Sequence, residues 1–257
     1  MNICIIGGGL TSLSLAKSLV NKKIKVDFYY ENKIKNLFSS RTIGISKNNL
    51  EFFKKEIHDI SNKILWEINK IEIYSEKLEK ENLLKFENDK DCLFYMVKND
   101  DLYKSLISKI SENKFFKKNK IKDKYFYADL QKKNKYDLII NCESNNFLSK
   151  KYFTKKIDKD YENCAYTTIL EHKRITNDIA TQIFTKNGPI AFLPISNNKT
   201  SVVLSLDTKY KKYSDSDILD LINKNNLKYQ IQKTNKLNSF NLSSSNLRKY
   251  YYKNILA

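Results

Sequence analysis

The sequence predicts an α/β fold: a Rossmann-like dinucleotide-binding domain joined to a mainly antiparallel β-sheet domain. Three observations carry this reading. The stretch "NICIIGGGLTSLSLAKSLV" places an apolar run, a glycine turn and a helical repeat in succession. The segment "KIKVDFYYEN" follows as an alternating strand that ends in an acid, Glu31. From about Cys164 to Leu206 the pattern is strand after strand, in "CAYTTILEH", "ATQIFTKNGPIAFLPIS" and "KTSVVLSLD".

The first turn is the most informative element. The chain has five glycines in 257 residues, and three of them are Gly7, Gly8 and Gly9. The run Ile3, Cys4, Ile5 and Ile6 reads as a strand buried on both faces. Leu13, Ala16, Leu19 and Val20 recur at helical spacing, so the glycines join a strand to a helix. Gly7 would permit the tight turn, and Gly9 would let backbone approach a pyrophosphate at the helix N-terminus. Ser12 stands where the third glycine of G-x-G-x-x-G would be. That glycine serves helix–strand packing, and serine adds only a small side chain. Glu31 lies 24 positions after Gly7. An acid at that distance sits at the tip of the second strand, accepts from ribose hydroxyls and repels a 2′-phosphate. FAD or NAD is therefore preferred over NADP. The bland alternative is a packing-driven βαβ unit with a solvated glutamate.

Further elements follow in order. Ser46 or Asn48 is expected to cap a helix carrying Leu50, Phe53 and Ile57. "WEINKIEIYSEK" alternates as one strand through Ile68, Ile71 and Ile73, and "DCLFYMVKN" reads as another. "NDDLYKSLISKI" puts Leu102, Leu106 and Ile110 on one helical stripe. "KYDLIINCESNN" is a second buried-strand pattern. Pro189 and Pro194, the two prolines of the chain, are expected at strand starts or edges. Ser214 is a candidate N-cap for a helix with Leu219 and Ile222 on its apolar face. "NLRKYYYKNILA" enters one more short strand, expected back in the first domain. The expected division is 1–66, 98–152 and 247–257 for the nucleotide-binding domain, and 67–97 with 153–246 for the sheet domain.

Composition narrows the function. A hydrophobic content of 41% with 12% aromatics is that of a globular chain. The formal charge of +18 comes almost wholly from lysine, since Arg41, Arg174 and Arg248 are the only arginines. Readers of bases and phosphates favour arginine's bidentate fork, so no specific nucleic-acid partner is expected. Runs such as "KFFKKNKIKDK" read as solvated surface, while attraction to anionic membrane surfaces stays open. Cys4, Cys92, Cys142 and Cys164 have no zinc-ligand or C-x-x-C spacing, which suits reduced thiols in a cytoplasmic protein. His58 and His172 are isolated, so neither a hydrolase triad nor a metal site is expected. The N-terminal apolar run lacks a basic leader, is broken by glycines and carries Lys17, and reads as part of the fold. No span has the length of a transmembrane helix.

The order "IIGGGLTSLSLA", Glu31, "SSRTIGIS", "YMVKNDDLYKSL", "YDLIINCESNN" and "GPIAFLPISNNKTSVVLSL" resembles the FAD-dependent aromatic-ring monooxygenases. Within that group the last stretch looks most like the ubiquinone-biosynthesis hydroxylases. The resemblance implies an FAD-binding domain, a substrate-binding sheet domain, and hydroxylation of a polyprenyl phenol or other small aromatic with NAD(P)H and O2. It implies FAD contacts at Gly7, Gly9, Thr11 and Ser12, with Glu31 on the adenosine ribose. Arg41 would lie near the flavin and its phosphates, and Asn99 would contact the cofactor or simply cap its helix. The family's Asp-Gly motif falls on Glu143 and Ser144, a departure that leaves the Glu143 contact open. Phe184, Phe192 and Leu193 would line the substrate side, or be ordinary sheet core. No catalytic base is apparent. Relatives continue past a strand like "YKNILA" into a Gly-Asp flavin motif, so the sequence is expected to be a fragment or a protein lacking part of that site. A peripheral place at the inner membrane face or in a biosynthetic complex remains compatible. An NAD-linked Rossmann oxidoreductase and a non-catalytic remnant or lysine-rich binding protein stay open as alternatives.

Overall fold

The computed structural model describes residues 1–31, 41–76, 82–88, 91–121, 125–132 and 135–257. The expected motif residues Ser39 and Ser40 lie outside them. In order the elements are β1 (Asn2–Ile6), α1 (Leu10–Asn21), β2 (Lys25–Tyr30), β3 (Thr42–Ser46), α2 (Lys47–Glu56), β4 (Leu65–Ile68), β5 (Lys70–Ser75), β6 (Asn82–Glu87), β7 (Phe94–Lys98), α3 (Asn99–Ile110), β8 (Phe116–Lys120), α4 (Tyr125–Lys132), β9 (Leu138–Asn141) and α5 (Phe147–Tyr152). The second half continues with β10 (Lys156–His172), β11 (Ile179–Thr185), β12 (Gly188–Ser196), β13 (Lys199–Asp207), α6 (Asp215–Lys224), β14 (Ile231–Thr234), β15 (Asn238–Leu247), β16 (Tyr251–Tyr252) and β17 (Ile255–Leu256).

Three sheets result. The first has the order β16-β17-β9-β1-β2-β8, parallel from β17 to β8. The chain fills one side of β1 with β2 and β8, then the other side with β9 and β17. The carboxyl ends of β1 and β9 therefore flank the switch point, where open parallel sheets bind ligands. One face is covered by α1 and α3 through Leu13, Ala16, Val20, Leu102, Leu106 and Ile110. The other is closed by Tyr127, Leu130 and Leu148 of α4 and α5 against Cys4, Ile6 and Ile139. Each Leu, Ile or Val buried in this way is worth about 1.5–3 kcal/mol.

The second sheet follows the order β14-β10-β13-β12-β11-β5-β6, with β15 also pairing β10. Its pairs are antiparallel except β5 with β11, which is parallel. The helix α6 covers one face, packing Ile218 and Ile222 on Ile183, Ile190 and Phe192. The small third sheet, β3-β7-β4, lies between the other two. Val97 and Leu65 join the first core, while the alternate residues Met96, Trp66 and Ile68 pack with Ile169, Ala180 and Ile195 of the large sheet. The period-2 alternation of strands makes this two-sided packing possible.

Several expectations are corrected. "WEINKIEIYSEK" is two strands, because Asn69 breaks the ladder by bonding the Asp178 carbonyl and carboxylate. The strands β4 and β5 then enter different sheets. The lysine-rich run lies at the surface as expected, but its residues 116–120 also pair with β2 as an edge strand, with Lys117, Lys118 and Lys120 exposed. In α6 the buried partner of Ile222 is Ile218, not Leu219. Pro194 sits inside the central strand β12, at a register shift that absorbs its missing donor. Ser46, not Asn48, caps α2, accepting from the Asn49 amide. Ser214 caps α6 as expected, and Asp217 answers it to complete a capping box.

Candidate functional site

The glycine turn is built by the strand before it and the helix after it. Gly7 takes φ +134°, a region that favours glycine, and its amide bonds the Tyr29 carbonyl at 2.8 Å, tying the turn to β2. A Cβ on Gly7 would stand 3.1 Å from the Cys142 Cβ, so the close approach of β1 and β9 needs glycine there. Gly9 is the N-cap of α1, with φ −85° and ψ 178°, and among the described residues no side chain caps the helix. The first-turn amides of α1 therefore lack a side-chain partner there, and a Cβ built on Gly9 meets no heavy atom within 4 Å. Thr11 is exposed in that first turn. Ser12 is fully buried, and its hydroxyl donates to the Gly9 carbonyl at 2.8 Å. Serine thus replaces the third glycine without leaving an unpaired hydroxyl.

Glu143, just past β9, sends its carboxylate into this turn. The Gly8 amide donates to Glu143 Oε1 at 3.3 Å. The loop holding it is braced: Ser149 Oγ and Asn141 Nδ2 both donate to the Glu143 carbonyl, and Asn146 Nδ2 donates to Asn141 Oδ1 at 2.6 Å. Glu31 is exposed past the end of β2, where Tyr127 Oη donates to it at 3.4 Å. Burial and the Glu31 carboxylate push the Tyr127 phenol up to about 12, so it remains a donor at neutral pH. Burial and the neighbouring Glu143 push the Cys142 thiol up to about 11, so it is no reactive thiolate.

Arg41 and Asn99 meet at one end of the small sheet, where the Asn99 amide donates to the Arg41 carbonyl at 3.0 Å. The Arg41 guanidinium lies over the Phe240 ring of β15 at 4.1 Å, a cation–π contact that reaches the large sheet. Asn99 is not the N-cap of α3; Lys98 is. Instead Asn99 Oδ1 is buried with no hydrogen-bond partner among the described residues, a rare condition that fits an acceptor waiting for a donor from a ligand.

The proposed lining residues diverge. Phe184 is 48% exposed near the β11–β12 turn. Phe192 is buried under α6, whereas Leu193 points to the opposite face beside Met96 and Ile195. His58 bonds Ser105 at 2.8 Å, and His172 sits in a buried network with Thr200 and Asn177 beside Tyr229. Among the described residues no group of three or more His, Cys, Asp or Glu is placed to hold a metal ion. No helix there is long and apolar enough to cross a membrane. Sequence reasoning missed Tyr127, Asn141 and Asn146. Their signal was weak: α4 has no capping pattern in the sequence, Asn141 ends a stretch that reads as buried strand, and Asn146 sits in one that reads as generic turn.

The residues fit a diphosphate-bearing adenine coenzyme on two counts, the open side of Gly9 and the orphaned Asn99 oxygen. Glu143 opposes it, since a carboxylate already accepts from the loop. No protein-family model matches the sequence, and no curated protein matches it. Solved structures do resemble the fold. The p-nitrophenol 4-monooxygenase PnpA from Pseudomonas putida DLL-E4 aligns with a TM-score of 0.74 at 9% identity, over 99% of this chain and 71% of that one. A mutant of PqsL from P. aeruginosa aligns with a TM-score of 0.74 at 10% identity, over 100% and 77%. A Photorhabdus luminescens protein described as an FAD-containing monooxygenase gives 0.68 at 14% identity, over 100% and 80%. At these identities the likeness establishes the fold, a mixed α/β architecture shared with monooxygenases.

Proposed function

We propose that this chain is a flavin-dependent aromatic hydroxylase that binds FAD at the glycine turn. The observation that carries this is the turn itself. It lies at the switch point of a parallel sheet, opens at Gly9 onto uncapped helix amides, and has Glu31 past the next strand. The fold shared with PnpA, PqsL and the Photorhabdus protein supports the same reading.

Each residue then has a role. Gly7, Gly9, Thr11 and Ser12 shape the cradle, whose amides and helix dipole favour a diphosphate. Glu31 accepts from the ribose hydroxyls, with Tyr127 fixing its carboxylate. Arg41, held over Phe240, supplies a cation between the coenzyme and the large sheet. Asn99 accepts from a donor on the coenzyme. Glu143 yields the Gly8 amide when the diphosphate enters. FAD, when bound, supplies the redox chemistry, and NAD(P)H and O2 are the co-substrates of the reaction. Residues 1–66, 98–152 and 247–257 hold the coenzyme, and 67–97 with 153–246 orient the ring and exclude water. Of the lining candidates Phe184 and Leu193 share one sheet face, and an apolar polyprenyl phenol is the substrate class in this reading. The surplus of lysine suits a peripheral contact with an anionic membrane.

The test is a binding panel on the purified protein. FAD, FMN, NAD and NADP are titrated by calorimetry, then the FAD complex is mixed with NADH or NADPH and its visible bands followed. FAD binding tighter than FMN, with bleaching of those bands on reduction, is expected. Binding of NAD without FAD would favour a nicotinamide-linked oxidoreductase, and binding of neither would leave a non-catalytic protein.

A further inference from the structure

Among the described residues the last strand of the large sheet, β6, has a neighbour on one side only. All six of its residues are exposed, including Leu83 at 43%, Leu84 at 55% and Phe86 at 48%. Such an edge, apolar and unpaired, is a template for another strand. Around Phe86 its side chains alternate between the two faces of the sheet. Register with β5 sets Phe86 opposite Ile71 and Leu84 opposite Ile73, and β5 in turn sets Ile71 opposite Ala180 and Ile73 opposite Gln182. Ile71 and Ala180 belong to the core between the small and large sheets. An apolar stripe thus runs from that core out to the free edge, ending in Leu84 and Phe86. On the opposite face Lys85 and Glu87 form an ion pair within the strand.

The charges say what the edge accepts. In a two-fold antiparallel pairing centred on Phe86, Lys85 stands opposite Glu87 of the second copy, and Glu87 opposite its Lys85. Phe86 then faces Phe86. Moving the centre by one residue sets Lys85 against Lys85, which is destabilising. The strand is therefore self-complementary in the register centred on Phe86, and a two-fold interface demands this property. We propose that β6 is a dimerisation edge, through which two copies of this chain join their large sheets in the register centred on Phe86.

The test is a charge swap on the full chain, read by sedimentation equilibrium, with thermal melts to verify folding. The wild type is expected to show a concentration-dependent dimer. In Lys85→Glu or Glu87→Lys, both cross-strand pairs become repulsive, and each variant alone should dimerise roughly tenfold more weakly. Mixed together, the two variants should recover a heterodimer as tight as the wild type, because a strand with two acids then faces a strand with two lysines, an arrangement open only to unlike chains. A wild type that stays monomeric through the hundred-micromolar range overturns the proposal. So does a dimer indifferent to both substitutions. Weakening in both variants without recovery on mixing would also overturn it, since the loss would then come from the broken in-strand pair. None of these outcomes bears on FAD binding.

Discussion

Substitution of Gly9 by alanine separates the fold from the coenzyme site. Gly9 has φ −85° and ψ 178°, which alanine adopts without strain, and the added Cβ meets no heavy atom within 4 Å. Replacing a compatible glycine by alanine stabilises by about 0.4–1 kcal/mol through the unfolded chain. Alanine is the poorer N-cap by about 0.5–1 kcal/mol. The two nearly cancel, so the melting temperature should move by about 2 °C or less. The ligand has no such compensation, because the methyl group occupies the approach to the first-turn amides. Loss of one charge-assisted hydrogen bond costs about 1.5–3 kcal/mol, which weakens binding roughly 10- to 150-fold. Thermal melts without ligand, beside a titration of flavin fluorescence with FAD, read both quantities on one preparation. A variant that folds normally and binds FAD as tightly as the wild type refutes the placement of the diphosphate. Gly7→Ala is the contrast: at φ +134° with Cys142 Cβ at 3.1 Å, it should lose stability as well.

Three more outcomes follow from the same geometry. Glu143→Gln should bind FAD about fivefold more tightly at low salt, because an exposed carboxylate about 5 Å from a phosphate costs about 1 kcal/mol; calorimetry at two ionic strengths checks this, and unchanged affinity would remove Glu143 from the site. Asn99→Leu should leave the ligand-free protein as stable or more so, since it deletes a buried acceptor with no partner among the described residues, yet weaken FAD binding; paired melts with and without FAD decide it. Burial pushes the Asp27 carboxyl up, but hydrogen bonds from Lys135 and Tyr136 outweigh it and hold the group below its ordinary value. Its contribution is then complete above the unfolded pKa and disappears as pH falls through the folded one. Asp27→Asn should flatten the acid limb of a stability–pH curve from denaturant titrations, and an unaltered limb would contradict this assignment.

The local elements were legible wherever one residue type carries a conformational need. Three adjacent glycines, a four-residue apolar run and a 3.6-residue repeat leave few alternatives to strand, turn and helix, so β1, α1 and the cradle follow from sequence alone. The same holds for α3, whose stripe of Leu102, Leu106 and Ile110 is buried, and for the Ser214 N-cap. Edge strands, and the break that sends one strand-like run into two sheets, were not legible. Residues 116–120 and 82–87 are polar or mixed because one side of each faces water, and the ten-residue β15 is serine- and asparagine-rich for the same reason. The break at Asn69 depends on Asp178, more than a hundred positions away. The site divides along the same line. Sequence supplied the turn and its acid because backbone freedom and charge are local properties. Only the tertiary structure set Glu143 on the Gly8 amide, Tyr127 on Glu31 and Arg41 over Phe240, and buried Asn99 Oδ1 without a partner among the described residues, since each is a meeting of segments whose separation the chain pattern does not encode.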